Sequence, residues 1–224
     1  LEIEEPIFNI SGALRTDTPG QYIWELLQNA EDAFATRVGI DLTATHLIFK
    51  HNGKRRFSLD DAKSITKIGF SGKTEFTEES HIGQFGVGFK SVFNYADSAE
   101  IHSEDFHFKL IDYINIEDNI TFDESIFDDN YTTYFKIIFQ QDVENIARAK
   151  TDSENILSHL NEEHIIFLQN IQSISVTTEE QNYDLKKIPN KEITQIINRS
   201  YSIKENLERV SETNWLVEFE PTIA

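Results

Sequence analysis

From Gln21 to about Val38 the chain places Ile23, Leu26, Leu27, Ala30, Ala33 and Phe34 at helical spacing, which predicts one amphipathic helix. "THLIFKHNG" then reads as a strand entering a turn, and "SLDDAKSITKIG" as a short helix capped by Ser58 with Asp61 three residues on. "SVFNYADSAEIHS" runs from helix into strand, while "FHFKLIDYI" and "TTYFKIIFQ" alternate like strands of a half-buried sheet. A helix near residues 142–163 follows, then "IIFLQNIQSISVTT" and a strand-rich stretch ending in "NWLVEFE". The first twenty residues are loop-like, punctuated by Pro6, Gly12, Pro19 and Gly20. Helices and strands mix without a regular βαβ rhythm and without an internal repeat. That pattern predicts an α+β sandwich, its mostly antiparallel sheet covered on one face.

Composition narrows the setting. A chain of 224 residues, 39% hydrophobic, is long enough for one large core or two small ones. It has no run of eighteen apolar residues, and "LEIEEPIFNI" lacks the basic flank and apolar stretch of a signal peptide, so the expected location is cytoplasmic, away from membranes. The absence of cysteine excludes disulfides and thiolate metal sites, and the seven histidines are scattered. Thirty-nine acidic residues against twenty basic ones give a net charge of −19, which repels phosphodiester backbones and argues against nucleic-acid binding by this domain. A small anion held at contact distance by backbone dipoles and a metal remains compatible with that charge.

"HIGQFGVGFKSVF", residues 81–93, places Gly83, Gly86 and Gly88 ahead of a helix. The order G-x-x-G-x-G is not the dinucleotide fingerprint G-x-G-x-x-G, and Phe89 separates Gly88 from Lys90 and Ser91, which breaks the phosphate-loop pattern. "GKT" at 72–74 fails as well, because Lys67 stands where the first glycine belongs. Two readings are left: a tight turn packed on the core, or a glycine loop whose N–H groups, with the following helix terminus, take phosphate oxygens.

In "ELLQNAEDA", Glu25 and Asn29 lie four apart and share a helix face, where a carboxylate and an amide oxygen can orient a water beside a magnesium ion; an exposed pair has the same spacing. With "IGFSGKTEF" and "IGQFGVGF", this segment resembles the ATP-binding domain of the GHKL superfamily (gyrase, heat-shock chaperones, histidine kinases, MutL) over about residues 10–140. "HNG" followed by Phe57 and "SITKIGFSGKT" is similar to chaperone-like and sacsin-like bacterial proteins, in which this domain heads a longer chain.

The resemblance implies a Bergerat-type two-layer sandwich, with residues 1–140 as nucleotide-binding core and 141–224 as an extension of it or the start of a following domain. It implies ATP and Mg2+ as ligands. Glu25 matches the general base and Asn29 the magnesium ligand, with Asp32 and Ala33 bordering the nucleotide. Gly83, Gln84, Phe85, Gly86, Val87, Gly88 and Phe89 match the phosphate loop, and Thr133 the threonine near the adenine. Lys73, in the lid-like segment, and Lys90 are further phosphate candidates, with surface charge as the alternative for each. One departure stands out. The family's Asp-x-Gly, whose aspartate accepts the adenine amino group, is here His51, Asn52 and Gly53, and a neutral imidazole offers either one acceptor or, as the other tautomer, a base-facing donor. The expected function is a slowly hydrolysing, lid- and dimer-based ATP switch working with downstream domains, as in chaperones, repair or bacterial antiviral defence. The alternative is a nucleotide-binding or interaction module without hydrolysis.

Overall fold

The computed structural model describes residues 19–58, 61–62, 89–111, 115–118, 120–161, 164–165, 168–188, 195–203 and 207–215, as backbone alone from residue 188 onward. Helix α1 (Gln21–Asp32) leads into strands β1 (Arg37–Leu42) and β2 (His46–His51). After a 3-10 helix (Phe89–Asn94) come β3 (Ala96–Ser103), β4 (Phe106–Leu110), β5 (Ile116–Asp118) and β6 (Thr133–Phe139). Helix α2 (Val143–His159) precedes β7 (Ser173–Thr177), β8 (Gln181–Ile188), β9 (Gln195–Ile203) and β10 (Leu207–Trp215). All ten strands form one sheet in the order β10-β9-β8-β7-β1-β2-β6-β3-β4-β5. Every described pairing is antiparallel except β1 with β7, where Val38 lies opposite Ile174. This is the mixed, mostly antiparallel α+β arrangement that the sequence predicted.

Alternation along the strands decides which face meets the helices. Leu47 and Phe49 of β2, Ala99 and Ile101 of β3, and Phe135, Ile137 and Phe139 of β6 join Tyr22, Ile23, Leu26, Leu27 and Ala30 of α1 in one core with Ala149 and Leu157 of α2. The intervening residues Ile48 and Tyr134 face the other side, where Tyr131, Phe122 and Ile126 make a small second cluster. No described helix is long and apolar enough to cross a membrane.

Helix α1 is shorter than its apolar spacing predicts. It ends at Asp32, and Phe34 lies outside the core, 55% exposed, in the left-handed region at φ 57. Phe34 N–H donates to the Glu31 carbonyl at 2.9 Å and Ala35 N–H to the Ala30 carbonyl at 3.0 Å, the paired bonds of a Schellman terminus, with phenylalanine where glycine is usual. The chain then reverses, and Arg37–Leu42, read from sequence partly as helix, is a central strand. At the other end Gly20 has φ 70; a Cβ there would collide with Ile156 Cγ1 and lie 3.1 Å from the Asp152 carbonyl oxygen.

Gly20→Ala is therefore expected to lower stability by about 2–3 kcal/mol, from left-handed strain plus overpacking against α2. Phe34→Gly is expected to raise it by about 0.5–1 kcal/mol, relief of the same strain outweighing the added chain entropy. Urea midpoints at unchanged m-value measure both, and a Gly20→Ala variant as stable as the parent contradicts the packing described.

Candidate functional site

Helix α1 is fixed at both ends by the chain's second half. At its start, Tyr22 and Ser153 hydroxyls lie 2.6 Å apart, and Tyr95 Oη accepts from Gly20 N–H at 3.0 Å while donating to Asp152 at 2.8 Å. At its end, the Glu31 carboxylate accepts the backbone N–H groups of Gln169, Asn170 and Ile171 at 2.7, 2.6 and 3.0 Å. Sequence reading missed Glu31; its bonds span about 140 positions, and nothing in the local pattern announces them.

Between these anchors stand the two residues expected to carry chemistry. Glu25 is half-buried, and its Oε1 accepts from Gln21 Nε2 at 3.1 Å. Asn29 is 5% exposed, and its buried Nδ2 has no hydrogen-bond partner. The 3-10 helix packs against α1 and carries a second such atom, Ser91 Oγ. A buried polar atom left unpaired costs roughly 1–3 kcal/mol, and two such atoms lie here on adjoining elements.

The corner after β2 wraps around the end of α1. Asn52 Oδ1 accepts from the backbone N–H groups of Thr36 and Arg37 at 2.9 and 2.8 Å, and Arg55 N–H donates to the Ala33 carbonyl at 3.2 Å. Gly53 sits so close that a Cβ would lie 2.8 Å from Ala33 Cβ and 2.9 Å from the Ala33 carbonyl oxygen. Its N–H donates to His51 Nδ1 at 3.0 Å. The His51 ring, 3% exposed, stacks on Phe135 with centroids 6.0 Å apart. Burial, reinforced by the Arg56 charge, pushes its pKa down to about 3, so the ring is neutral.

His51, Ala33, Phe57, Asp61, Thr133 and Phe135 line one void, of about 10 Å³, room for a single water. Thr133 Oγ1 lies 3.0 Å from Ser103 Oγ. Asp61 forms the capping box expected with Ser58, accepting from its N–H and hydroxyl at 2.9 and 2.7 Å, and takes Arg55 Nη2 at 2.5 Å. Arg56 donates to the Gly53 carbonyl and Thr132 Oγ1, both at 2.5 Å. Nothing in the local sequence pattern signals that Arg55 and Arg56 border this void.

Asp32, expected beside Ala33 at the nucleotide, lines a cleft of about 650 Å³ with Trp24, Gln28, Glu31 and His164. Phe89 is buried against Phe135, ring centroids 5.7 Å apart. Lys90 is 3% exposed, which overturns the surface-charge alternative, and burial lowers its pKa. Lys73 and the loop Gly83, Gln84, Phe85, Gly86, Val87 and Gly88 lie outside the described residues.

A model of the sacsin domain matches residues 5–154, more than half of the chain. The chain belongs to the sacsin domain family. This meets the expectation from "HNG" with Phe57 and "SITKIGFSGKT", which pointed to the sacsin-like side of the GHKL superfamily. Protein NO VEIN of Arabidopsis thaliana is 36% identical over 94 residues, 40% of this chain and 3% of that relative's length. Among solved structures, the N-terminal domain of a DNA repair protein aligns at 14% identity and TM-score 0.49, covering 86% of this chain and 68% of that one. A variant of the Aquifex aeolicus MutL ATPase domain aligns at 11% and 0.43, covering 83% and 75%.

In this sacsin domain the buried neutral His51 links stability to pH. Its folded pKa lies below the unfolded value of about 6.5, so in the window between them only the unfolded chain binds the proton, and stability falls as pH drops from about 6.5 toward 3. His51→Gln removes that contribution. Between pH 6.5 and 5, above the carboxylate range, stability of the variant is expected to fall less steeply than that of the parent by up to about 1.4 kcal/mol per pH unit. Identical slopes in urea titrations across that window contradict a buried neutral imidazole.

Proposed function

We propose that this domain binds a nucleoside triphosphate with a divalent cation across α1 and hydrolyses it slowly as a conformational switch. The observation that carries this reading is Asn29, a buried amide with an unpaired atom, one helical turn after a carboxylate. Rotating the amide exchanges Nδ2 and Oδ1, so the same position can present a hard oxygen, and magnesium favours oxygen ligands. Such an ion would neutralise phosphate charge during transfer. Glu25, held by Gln21, would take a proton from water at its carboxylate. Lys90, on the 3-10 helix packed against α1, would reach an anionic phosphate held there. Gly83–Gly88 and Lys73 enter as phosphate contacts on the resemblance alone. The His51 void takes the base once its walls part, since its present volume admits only water.

Slow turnover, a nucleotide-dependent homodimer and dependence on downstream domains belong to the same reading, as does the expectation that the chain's net charge of −19 keeps nucleic acid away. Two substitutions separate binding from chemistry. Glu25→Gln is expected to keep magnesium-nucleotide affinity within about threefold while lowering hydrolysis by ~100-fold or more. Asn29→Ala is expected to abolish the magnesium dependence of binding. Titration calorimetry and phosphate release measure the two; unchanged turnover in Glu25→Gln removes Glu25 as the base, and a parent that binds nucleotide without releasing phosphate moves the domain to the non-hydrolysing alternative.

A further inference from the structure

The face of the sheet turned away from α1 carries a cavity of its own. Positions that alternate with the core bring His107 of β4, His102 of β3 and Tyr134 of β6 side by side, because His102 lies opposite both of the others in register. Residues 120–132 return over this row. The Phe122 ring centroid stands 4.7 Å from that of His102, 5.3 Å from Tyr134 and 5.8 Å from His107, parallel to the last within 4°. The cavity beside it, about 680 Å³, is walled by His102, His107, Phe122, Phe127, Tyr131 and Tyr134. That volume suits a side chain with part of the segment bearing it. Phe127 is 55% exposed, so the aromatic wall continues onto the surface.

The charges lining the cavity have one sign. Glu104, Glu124 and Asp129 are among the lining residues, and no lysine or arginine is. Arg56 already holds Glu104 at 2.6 Å, whereas Glu124 and Asp129 are exposed and make no ion pair among the described residues. Cations on adjoining residues are engaged as well: Lys136 lies 3.8 Å from Glu100, Lys50 2.7 Å from Asp41, and Arg37 donates to Asn130 at 2.6 Å. Tyr134 Oη donates to the Asp128 carbonyl and accepts its N–H, and Thr132 Oγ1 accepts from Arg56. The Nδ1 atoms of His102 and His107 lie 3.1 Å apart, one donating to the other, and burial lowers the pKa of His107 toward the neutral form. An incoming group therefore meets aromatic rings and two carboxylates.

We propose that this cavity docks an arginine or lysine side chain of a protein partner, its cation against the aromatic wall and its charge met by Glu124 and Asp129. Ring quadrupoles attract cations, and the carboxylates add an attraction that a neutral segment does not feel and an anionic one opposes. The same wall shows the contact once within the chain, where Lys50 Nζ stands 5.1 Å from the Tyr131 ring centroid. A protein segment is the occupant because Phe127 offers apolar surface beyond what one cationic group covers, and the net charge of −19 draws basic partners. The site is independent of the nucleotide reading, since Tyr134 faces the opposite side of the sheet from α1.

A short peptide of glycine, serine and leucine with arginine at its centre, its lysine counterpart, and one with uncharged citrulline in that place separate charge from shape. They are titrated without nucleotide into the 224-residue chain carrying 13C-labelled phenylalanine and tyrosine rings. The arginine and lysine peptides are expected to shift the Phe127 signal, assigned by its loss in Phe127→Leu, and to bind about tenfold tighter than the citrulline peptide. Glu124→Gln combined with Asp129→Asn changes only exposed side chains and is expected to reduce that preference to about threefold or less. Citrulline binding as tightly as arginine, a preference unchanged in the double variant, or a Phe127 signal unmoved at millimolar peptide each overturns the proposal. Nα-acetylarginine amide binding as tightly as the arginine peptide overturns it too, in favour of a site for small cations.

Discussion

Ala33 and Gly53 approach so closely that no side chain fits between them, and the site is organised around that contact. It brings the end of α1 against the end of β2, and from it follow the reversal at Phe34, the Asn52 bonds that start β1, and the orientation of His51. Each residue of "HNG" has a separate task. His51 faces the void, Asn52 ties down the chain entering β1, and Gly53 gives the clearance that lets both happen. Asparagine suits the middle position because one amide oxygen can accept two successive backbone N–H groups while its nitrogen donates to Thr36 Oγ1 at 2.9 Å.

What the sequence disclosed and what it concealed divide along physical lines. The strands β4 and β6 were legible because alternation survives any tertiary context, and the Glu25–Asn29 pairing because helical spacing alone sets it. The end of α1 was not legible. Its terminator is a phenylalanine in the left-handed region, where glycine would have been the signal, and Val38 extends the apolar spacing although it belongs to a strand. The missed β1 is the strand that joins both halves of the sheet. In the site, the position of His51 could be read but not its polarity, because a tautomer is set by a neighbour's hydrogen bond. Arg55, Arg56 and Glu31 act through contacts that no local pattern encodes.

The second half of the chain reads as sequence with little chemistry, yet it positions the helix that bears Glu25 and Asn29. Ser153, Asp152 and Ile156 of α2 surround the start of α1, and the three backbone amides before β7 close on Glu31 at its end. Lys187, 4% exposed, donates to the Leu168 carbonyl beside the same segment, its pKa lowered by burial and partly restored by Glu31. The parallel pairing of β7 with β1 completes the arrangement, since β1 begins within a few residues of the helix end. A carboxylate accepting several backbone donors forms charge-assisted bonds, stronger than neutral ones, so this clamp is well suited to hold a helix whose neighbouring polar atoms are unsatisfied.

These two features belong together. Asn29 Nδ2 and Ser91 Oγ are buried without partners, which destabilises the folded chain by roughly 1–3 kcal/mol each. A loosely held helix would relax to satisfy them, by rotating toward water or by admitting a neighbouring backbone group. Tyr22, Tyr95 and Glu31 oppose that relaxation by fixing α1 at points outside the site, none of which meets the void beside His51. Rigidity thus comes largely from the second half of the molecule, and the unpaired atoms stay on elements that are held in place.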